Sequence, residues 1–553
     1  MKLNMHLQKS QVDEAVTMDN TLKPFESRNK PEQLEWLQDA GFGMFIHWSL
    51  DAQLGCVISH SLVGASDDYV ERYYSLLPQT LNPQKWDFDH LASLAKLCGM
   101  QYAVLTTKHH NGFCLWATDT TDCNIVNAPY GRDLVAQYAT AFRKAGIKVG
   151  FYFSPEDFNY LRRCGLPITR TPTEPYPKEV MAGYRDLLSK QMTELMTRFG
   201  TVDVMFFDGG ETMRDENGQS LQELCMEIAW DHNPDLLITR GAIPTPEQQL
   251  PGIGADMAWE ACLTLGTAWQ YQPTNETYKT GLHAIRLLTE TRAKGGSLLL
   301  NIGPDANGEL CREQENILRE IALWQFINGE ALLNSRPWVL TNEDDIWLLK
   351  HKSGRAVYAV LFGQDDWDRG VRKEILLKSV KATDATTVEV LGQSGQLTEY
   401  RPDLDAHVYW EQREEGLWIS VLNAQRIYCG IQWRNPLVLK ITEPLPAFTP
   451  MEVRTDEASL FQKEDSVLLA AEVRSLGSFE KADLSFEWRI YPGFALSSYD
   501  KGWQSTENVT VTETGCYTLP LTELKSEITY QYRAVLSNDQ NIMKGEMVLF
   551  TRE

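Results

Sequence analysis

From about residue 35 to 330 the chain alternates short, almost wholly apolar runs with longer stretches whose apolar residues recur at helical spacing. Residues 41–48, 102–110, 148–154, 202–208, 236–240, 255–260 and 297–303 read as strands. Between them, 86–98, 132–146, 177–200, 221–230, 278–294 and 311–328 read as helices. Runs without polar alternation are how strands buried on both faces are written, and parallel sheets bury both faces. Seven such strands, with an eighth sought in the irregular stretch 262–275, predict a (β/α)8-type barrel.

The texture changes after residue 330. Short alternating runs at 346–349, 356–362, 388–391 and 437–441 are separated by Gly, Asp and Asn, which is the pattern of an antiparallel sandwich. A Pro-bearing stretch at 443–450 reads as a linker. The tail repeats the all-β pattern and ends in a way that resembles a fibronectin type III module. The predicted organisation is a (β/α)8-type catalytic domain over 1–335, a β-sandwich over 336–445 and a second sandwich over 446–553. Trp433, Trp488 and Trp503 read as core rather than as exposed binding platforms.

Apolar residues make up 43% of the 553, enough for a large core, and a formal charge of −23 argues against nucleic acid or an anionic membrane as partner. No run approaches the ~18 apolar residues that span a bilayer. The ten cysteines contain no Cys-x-x-Cys pair, so reduced, mostly buried thiols are expected. The start of the chain, residues 1–10, has no apolar core of an export signal, and a cytoplasmic location is the expectation. There is neither a phosphate loop nor Gly-x-Gly-x-x-Gly, so no nucleotide cofactor is expected.

Chemistry collects at the strand ends: His47, His109 and His110, Ser154, Asp208, Arg240, Glu260 and Asn301. One polar residue at a strand end ordinarily marks the start of solvent. Two acids, three histidines and an arginine together are another matter, because parallel barrels build their active sites on that rim. Retaining cleavage of a glycosidic bond needs an ionised carboxylate and a protonated one about 5–5.5 Å apart. Asp208, between apolar neighbours, needs His or Arg beside it to stay anionic, and suits the nucleophile. Glu260, beside Trp259, suits the acid through desolvation. His109 and His110 are adjacent, so on an extended strand they point apart and chelate poorly. Hydrogen bonding to sugar hydroxyls is expected of them, and no metal.

The motifs Gly43-Met44-Phe45-Ile46-His47-Trp48, Tyr102 to Phe113, Asn127 to Asp133, Val202 to Gly209, Trp259-Glu260-Ala261-Cys262 with Trp269 and Tyr271, and Lys294 to Gly308 resemble those of the alpha-L-fucosidases of glycoside hydrolase family 29. The resemblance implies Asp208 as nucleophile and Glu260 as acid/base. It also implies fucose contacts from His47, His109, His110 and Arg240, with Trp269 lining the pocket. Trp48, Asp67, Phe153 and Phe206 join the sugar-binding set by position. Asp67-Asp68-Tyr69 stands where Glu-Trp-Tyr is common, Phe153 where a Tyr hydroxyl is usual, and Phe206 where Trp is usual. The implied substrate is a fucosylated oligosaccharide or glycoconjugate. Rival readings are an exo-glycosidase on a fucose-like sugar such as an L-galactoside, and a catalytically weak glycan-binding protein.

Overall fold

The computed structural model describes residues 27–251, 254, 257–363, 367–368, 370–395, 402–424, 435–461, 466–491, 502–522 and 524–552. Residues 1–10, Ala255, Asp256 and Trp433 lie outside the described residues.

Seven parallel strands form one curved sheet: β1 (Phe42–Ile46), β2 (Tyr102–Lys108), β3 (Lys148–Phe153), β4 (Val204–Phe207), β5 (Leu237–Ile238), β6 (Glu260–Thr264) and β7 (Ser297–Ile302). Their spatial order is β5-β4-β3-β2-β1-β7-β6, the circular order of a barrel with one gap between β5 and β6. The gap is occupied by chain that follows β5. Ile243 bridges Arg240, Cys262 N–H donates to Pro246 O at 3.1 Å, and Gln248 N–H donates to Cys262 O at 3.0 Å. The eighth position therefore belongs to 243–248 and not to 262–275. Two prolines explain why it escapes a strand reading, since Pro244 and Pro246 have no N–H to give a ladder.

The six predicted helices are present within a few residues, for example Lys178–Arg198 for 177–200 and Arg312–Asn328 for 311–328. Three more, Pro31–Ala40, Asp67–Thr80 and the short Phe158–Arg163, were not read from the sequence. The strands are amphipathic only in the sense of choosing between two apolar compartments. Phe45, Tyr102, Val104, Tyr152, Val204, Phe206, Leu237, Cys262 and Leu299 fill the barrel's interior. Their chain neighbours, such as Met44, Ala103, Phe153, Met205 and Leu300, face the surrounding helices. Gly43 makes the interior possible at one point, because a Cβ there would meet the Tyr102 ring at 2.5 Å.

After Asn334 the chain is antiparallel. Strands Ser335–Glu343, Ile346–His351, Ala356–Leu361, Leu437–Thr442 and Val388–Val390 make one sheet, and Arg372–Leu377, Leu417–Leu422 and Tyr409–Gln412 another. One face of the first sheet joins the barrel's outer core through Trp347, Tyr358, Val360 and Val438. Trp324 of the last barrel helix donates to Pro436 O at 2.9 Å across that junction. A third group of antiparallel strands spans Glu452–Phe461 to Val548–Arg552 around its own core. Trp488 packs against that core, and Trp503 is capped by Arg489 and Arg533 at 4.3 and 4.5 Å. No described helix is long and apolar enough to cross a membrane. Nine described cysteines are free thiols, of which four are buried, fewer than expected.

Candidate active site

Asp208 follows β4 directly, and alternation along the strand turns its side chain the same way as Phe206, into the barrel's mouth. Its carboxylate is ringed by donors. Tyr152 of β3 donates its hydroxyl to Oδ2 at 2.8 Å. Arg240 Nε stands 3.7 Å and Arg170 Nη2 3.5 Å from Oδ1, and His110 Nε2 is 3.6 Å from Oδ2. Burial alone would push this carboxyl up; Arg240 and then Arg170 overcome it and hold Asp208 well below the usual carboxylate range. Each arginine also grips a second acid. Arg240 Nη1 donates to Glu247 Oε2 at 2.8 Å, and Arg170 Nε donates to Glu156 Oε2 at 2.8 Å. The result is a chain of alternating acids and arginines, Glu247–Arg240–Asp208–Arg170–Glu156, laid across the mouth.

The sequence predicted a missing hydroxyl at Phe153, and the structure corrects this by one residue. Phe153 is buried on the helix side of the sheet, under Lys108 Nζ at 4.4 Å. Tyr152 is the inward residue and supplies the hydroxyl, because a step of one along a strand changes the face. Converting Tyr152 to Phe is expected to lower kcat/KM about tenfold and to move the acidic limb of the pH–rate profile upward, since a charge-assisted hydrogen bond to the anion is lost. Stopped assays from pH 3.5 to 8 measure both effects.

Three histidines meet at the rim. His47 Nδ1 contacts Asn301 Oδ1 at 2.6 Å, while Asn301 Nδ2 donates to Trp269 O at 2.7 Å. The amide oxygen is thus the acceptor, and His47 carries its proton on Nδ1. Burial pushes His47 down to about 4. His109 Nδ1 lies 2.7 Å from Ser59 Oγ, and His110 Nδ1 lies 2.7 Å from Ser154 Oγ. Burial holds both imidazoles well below their ordinary value, so both are neutral. Trp269 lies over His47 with ring centroids 4.8 Å apart. Its loop reaches the site because it crosses Gly303, where a Cβ would meet Tyr271 N at 2.6 Å.

The two adjacent histidines do not diverge. β2 ends at Lys108, so His109 and His110 are not on extended strand, and their rings lie 4.2 Å apart. Ligand atoms of His109, His110 and Asp208 fall within 4.8 Å of one another. The arginines flanking Asp208 oppose a divalent cation there, and serine hydroxyls engage the Nδ1 atoms of both rings.

Glu260 is the main correction. It begins β6 instead of closing a strand, and pairs with Ser297, the first residue of β7. Its Oε2 accepts the hydroxyl of Tyr102, the first residue of β2, and the same hydroxyl lies 2.9 Å from Ser297 Oγ. All three sit at the N-terminal end of the barrel. Thr264, at the other end of β6, is about 13 Å further along. A retaining pair cannot form across that distance. The apolar run before Glu260 ends in Trp259, which faces the outer core, and the strand itself runs on through Ala261, Cys262 and Leu263.

Desolvation does raise Glu260, to about 7, as expected of it, but in the barrel floor. The consequence is for stability. The folded state keeps a proton that an unfolded chain releases near 4.5, so the stability of the neutral form is present below that pH and lost as pH rises to about 7. The shift corresponds to ~3 kcal/mol. Urea titrations at pH 5 and 8 are expected to show Glu260→Gln losing less stability between the two than the parent, with kcat unchanged at both. An equal loss in both proteins rejects the assignment.

Three further expected sugar contacts do not reach the site. Trp48 is fully buried on the helix side, its indole donating to Asp305 O at 2.8 Å. Asp67 is the exposed first residue of helix Asp67–Thr80. Phe206 is inside the barrel, beneath the guanidinium of Arg240 at 5.5 Å, and forms floor rather than wall. The structure instead adds Tyr152, Glu156, Arg170, Glu247, Ser59 and His60. His60 lies 5.3 Å from His110 ring to ring. The Pro246-Glu247 pair after a short strand was a readable signal; Arg170, far along a loop, was not.

The comparisons fit this geometry. The alpha-L-fucosidase family model matches residues 8–330. A putative alpha-L-fucosidase of Caenorhabditis elegans is 25% identical over 458 residues, 73% of this chain and 89% of its own length. The solved alpha-L-fucosidase isoenzyme 1 from Paenibacillus thiaminolyticus is 28% identical, with TM-score 0.60 over 74% of this chain and 98% of its own. A Bacteroides thetaiotaomicron fucosidase solved as a trapped covalent intermediate with 2-fluoro-fucosyl fluoride shares the fold, at 22% identity and TM-score 0.60 over 78% of this chain and 98% of its own. With more than half its length matched by the family model, the chain belongs to the alpha-L-fucosidase family.

Proposed function

We infer that the protein is a retaining alpha-L-fucosidase in which Asp208 is the nucleophile and Glu247, in place of Glu260, is the acid/base. The observation that carries this reading is the ionised Asp208 at the barrel's C-terminal rim, sharing Arg240 with a second, partly exposed acid. Glu247 keeps 31% of its side chain accessible, whereas Glu156 keeps 2% and cannot approach a leaving group. Two carboxylates compete for one guanidinium, and Asp208 has further partners in Arg170 and Tyr152. Asp208 is therefore the one held as the anion, and Glu247 is the acid left within reach of a leaving group.

In the first step an Asp208 oxygen bonds to the anomeric carbon while the glycosidic oxygen departs with the proton of Glu247. Ester formation removes the charge of Asp208, which leaves Arg240 to the newly ionised Glu247. In the second step Glu247 takes a proton from water, the water oxygen bonds to the anomeric carbon, and Asp208 leaves as a carboxylate. His47, His109 and His110 offer neutral nitrogens to hydroxyls, Arg240 a cation, and Trp269 an apolar wall suited to a methyl group. Proton NMR of the first product anomer, with nitrophenyl alpha-L-fucoside and alpha-L-galactoside, tests the reading. Turnover of the galactoside alone, or an inverted first product, overturns it.

The same inference extends to the tail. Strands Glu452–Phe461, Ser466–Ser475 and Gly515–Leu521 form one sheet, and Ala482–Ile490 with Ile528–Ser537 centre the other. Tyr530 accepts the Lys525 N–H at 2.9 Å. A 3-stranded sheet facing a larger one, with a tyrosine closing the connection between them, supports a fibronectin type III-like module.

A further inference from the structure

Ser59, at the rim, has a strained backbone. Its φ is 57° and ψ −37°, and His60 N–H donates to Ile58 O at 2.5 Å. This is a γ-turn of the positive-φ form, rare and costly for a residue other than glycine. The turn persists because a buried carboxylate holds it. Asp51, wholly buried, accepts the Ser59 N–H at 2.7 Å and the Tyr73 hydroxyl at 2.9 Å on Oδ2. Tyr73 in turn accepts from Asn111 Nδ2 at 2.9 Å.

The strained turn presents Ser59 Oγ to two groups. Asn111 N–H donates to it at 3.0 Å, and His109 Nδ1 lies 2.7 Å away. With one lone pair of the oxygen taken by Asn111, the hydroxyl proton has His109 Nδ1 as its acceptor among the described contacts. A His109 that accepts on Nδ1 carries its own proton on Nε2. We propose that Asp51 and Ser59 are positioning residues that lock His109 in the Nε2–H tautomer, so that it donates to a substrate hydroxyl while His47, protonated on Nδ1, accepts from another. The sugar site then has a fixed polarity, one donating and one accepting imidazole about 6 Å apart between ring centres. The opposite assignments come from the partners behind each ring, a serine hydroxyl for His109 and an amide oxygen for His47.

This rests on the fucosidase reading for its kinetic arm only. Ser59→Gly removes the hydroxyl and the strain together, so stability and positioning separate. The variant is expected to melt at or above the parent's Tm and still lose about 10–100-fold in kcat/KM on nitrophenyl fucoside, the cost of an outer partner that orients a working group. Asp51→Asn keeps an acceptor for the Ser59 N–H and is expected to retain most of the activity that Asp51→Ala loses. Nitrogen-15 spectra of histidine-labelled protein, with His109 assigned from the His109→Gln spectrum, read the tautomer directly and need no turnover. The parent is expected to show Nε2–H with Nδ1 as acceptor, and Ser59→Gly a mixture of tautomers. A parent His109 protonated on Nδ1, an unchanged tautomer in Ser59→Gly, or parental kcat/KM in that variant overturns the proposal. If the parent itself leaves the fucoside intact, the function reading fails, and the nitrogen spectra still decide the relay.

Discussion

Replacing Asp208 by alanine is expected to lower kcat/KM on an aryl alpha-L-fucoside by about three to five orders of magnitude, the scale seen when a nucleophile is removed. The geometry makes this a chemical loss and not a folding one. Arg170 retains Glu156 and Arg240 retains Glu247 after the change, so neither guanidinium is left buried without an acid. The melting temperature should therefore stay within a few degrees of the parent. Azide, a small anion, fits where the carboxylate was and meets the same two arginines. It is expected to restore part of the rate and to release the beta-configured fucosyl azide, because one displacement inverts where two retain. A variant that turns over at the parental rate, or azide rescue that yields the alpha product, removes Asp208 from the nucleophile's role.

The barrel was legible because each of its strands but one is an uninterrupted apolar run bounded by turn residues, and the helices between them carry clear periodicity. What pattern could not supply was phase. Tyr152 and Phe153 are equally apolar in a reading of burial, and both are buried; only the sheet's register decides which faces the mouth. Glu260 illustrates the same limit at the level of a strand's ends. An acid next to an apolar run marks one end of a strand, but whether the run precedes or follows it decides which face of the barrel receives the carboxylate. The desolvation argument was sound and applied at the wrong pole of the molecule. The histidines failed for a third reason, since the prediction of divergent rings assumed extended backbone beyond Lys108, where the strand has already ended.

Contacts across long separations were hidden altogether. Arg170 reaches Glu156 and Asp208 from the middle of a loop between β3 and the next long helix, and nothing local to Arg170 marks it. Ser59 reads as an ordinary loop serine until its backbone angle is seen. The strand-end residues Ser154 and Asn301, by contrast, were flagged from the sequence, and both turn out to hold histidines in place. Barrels concentrate their chemistry where strands stop, so strand ends are the part of a site that sequence exposes best.

The second large effect separates the two glutamates. Glu247→Gln is expected to slow hydrolysis of a fucosyl-oligosaccharide by about 10²–10⁴, because its leaving alcohol needs a proton in the transition state. With a dinitrophenyl fucoside or fucosyl fluoride, whose leaving groups need none, formation of the fucosyl-enzyme should be nearly as fast as in the parent. Breakdown of that intermediate still needs a base, so a burst followed by slow turnover is expected, and azide should relieve the slow phase since it attacks without deprotonation. Glu260→Gln is expected to show none of this: its carboxyl lies in the barrel floor, against Tyr102 and Ser297, and touches no substrate. If Glu260→Gln gives the leaving-group dependence and Glu247→Gln does not, then the acid works from the floor of the barrel, and the placement of the site on its C-terminal rim is wrong. The contrast is sharp because both substitutions remove one ionisable proton and leave size nearly unchanged. Only the position of the carboxyl along the barrel axis distinguishes them, and the leaving group reports that position.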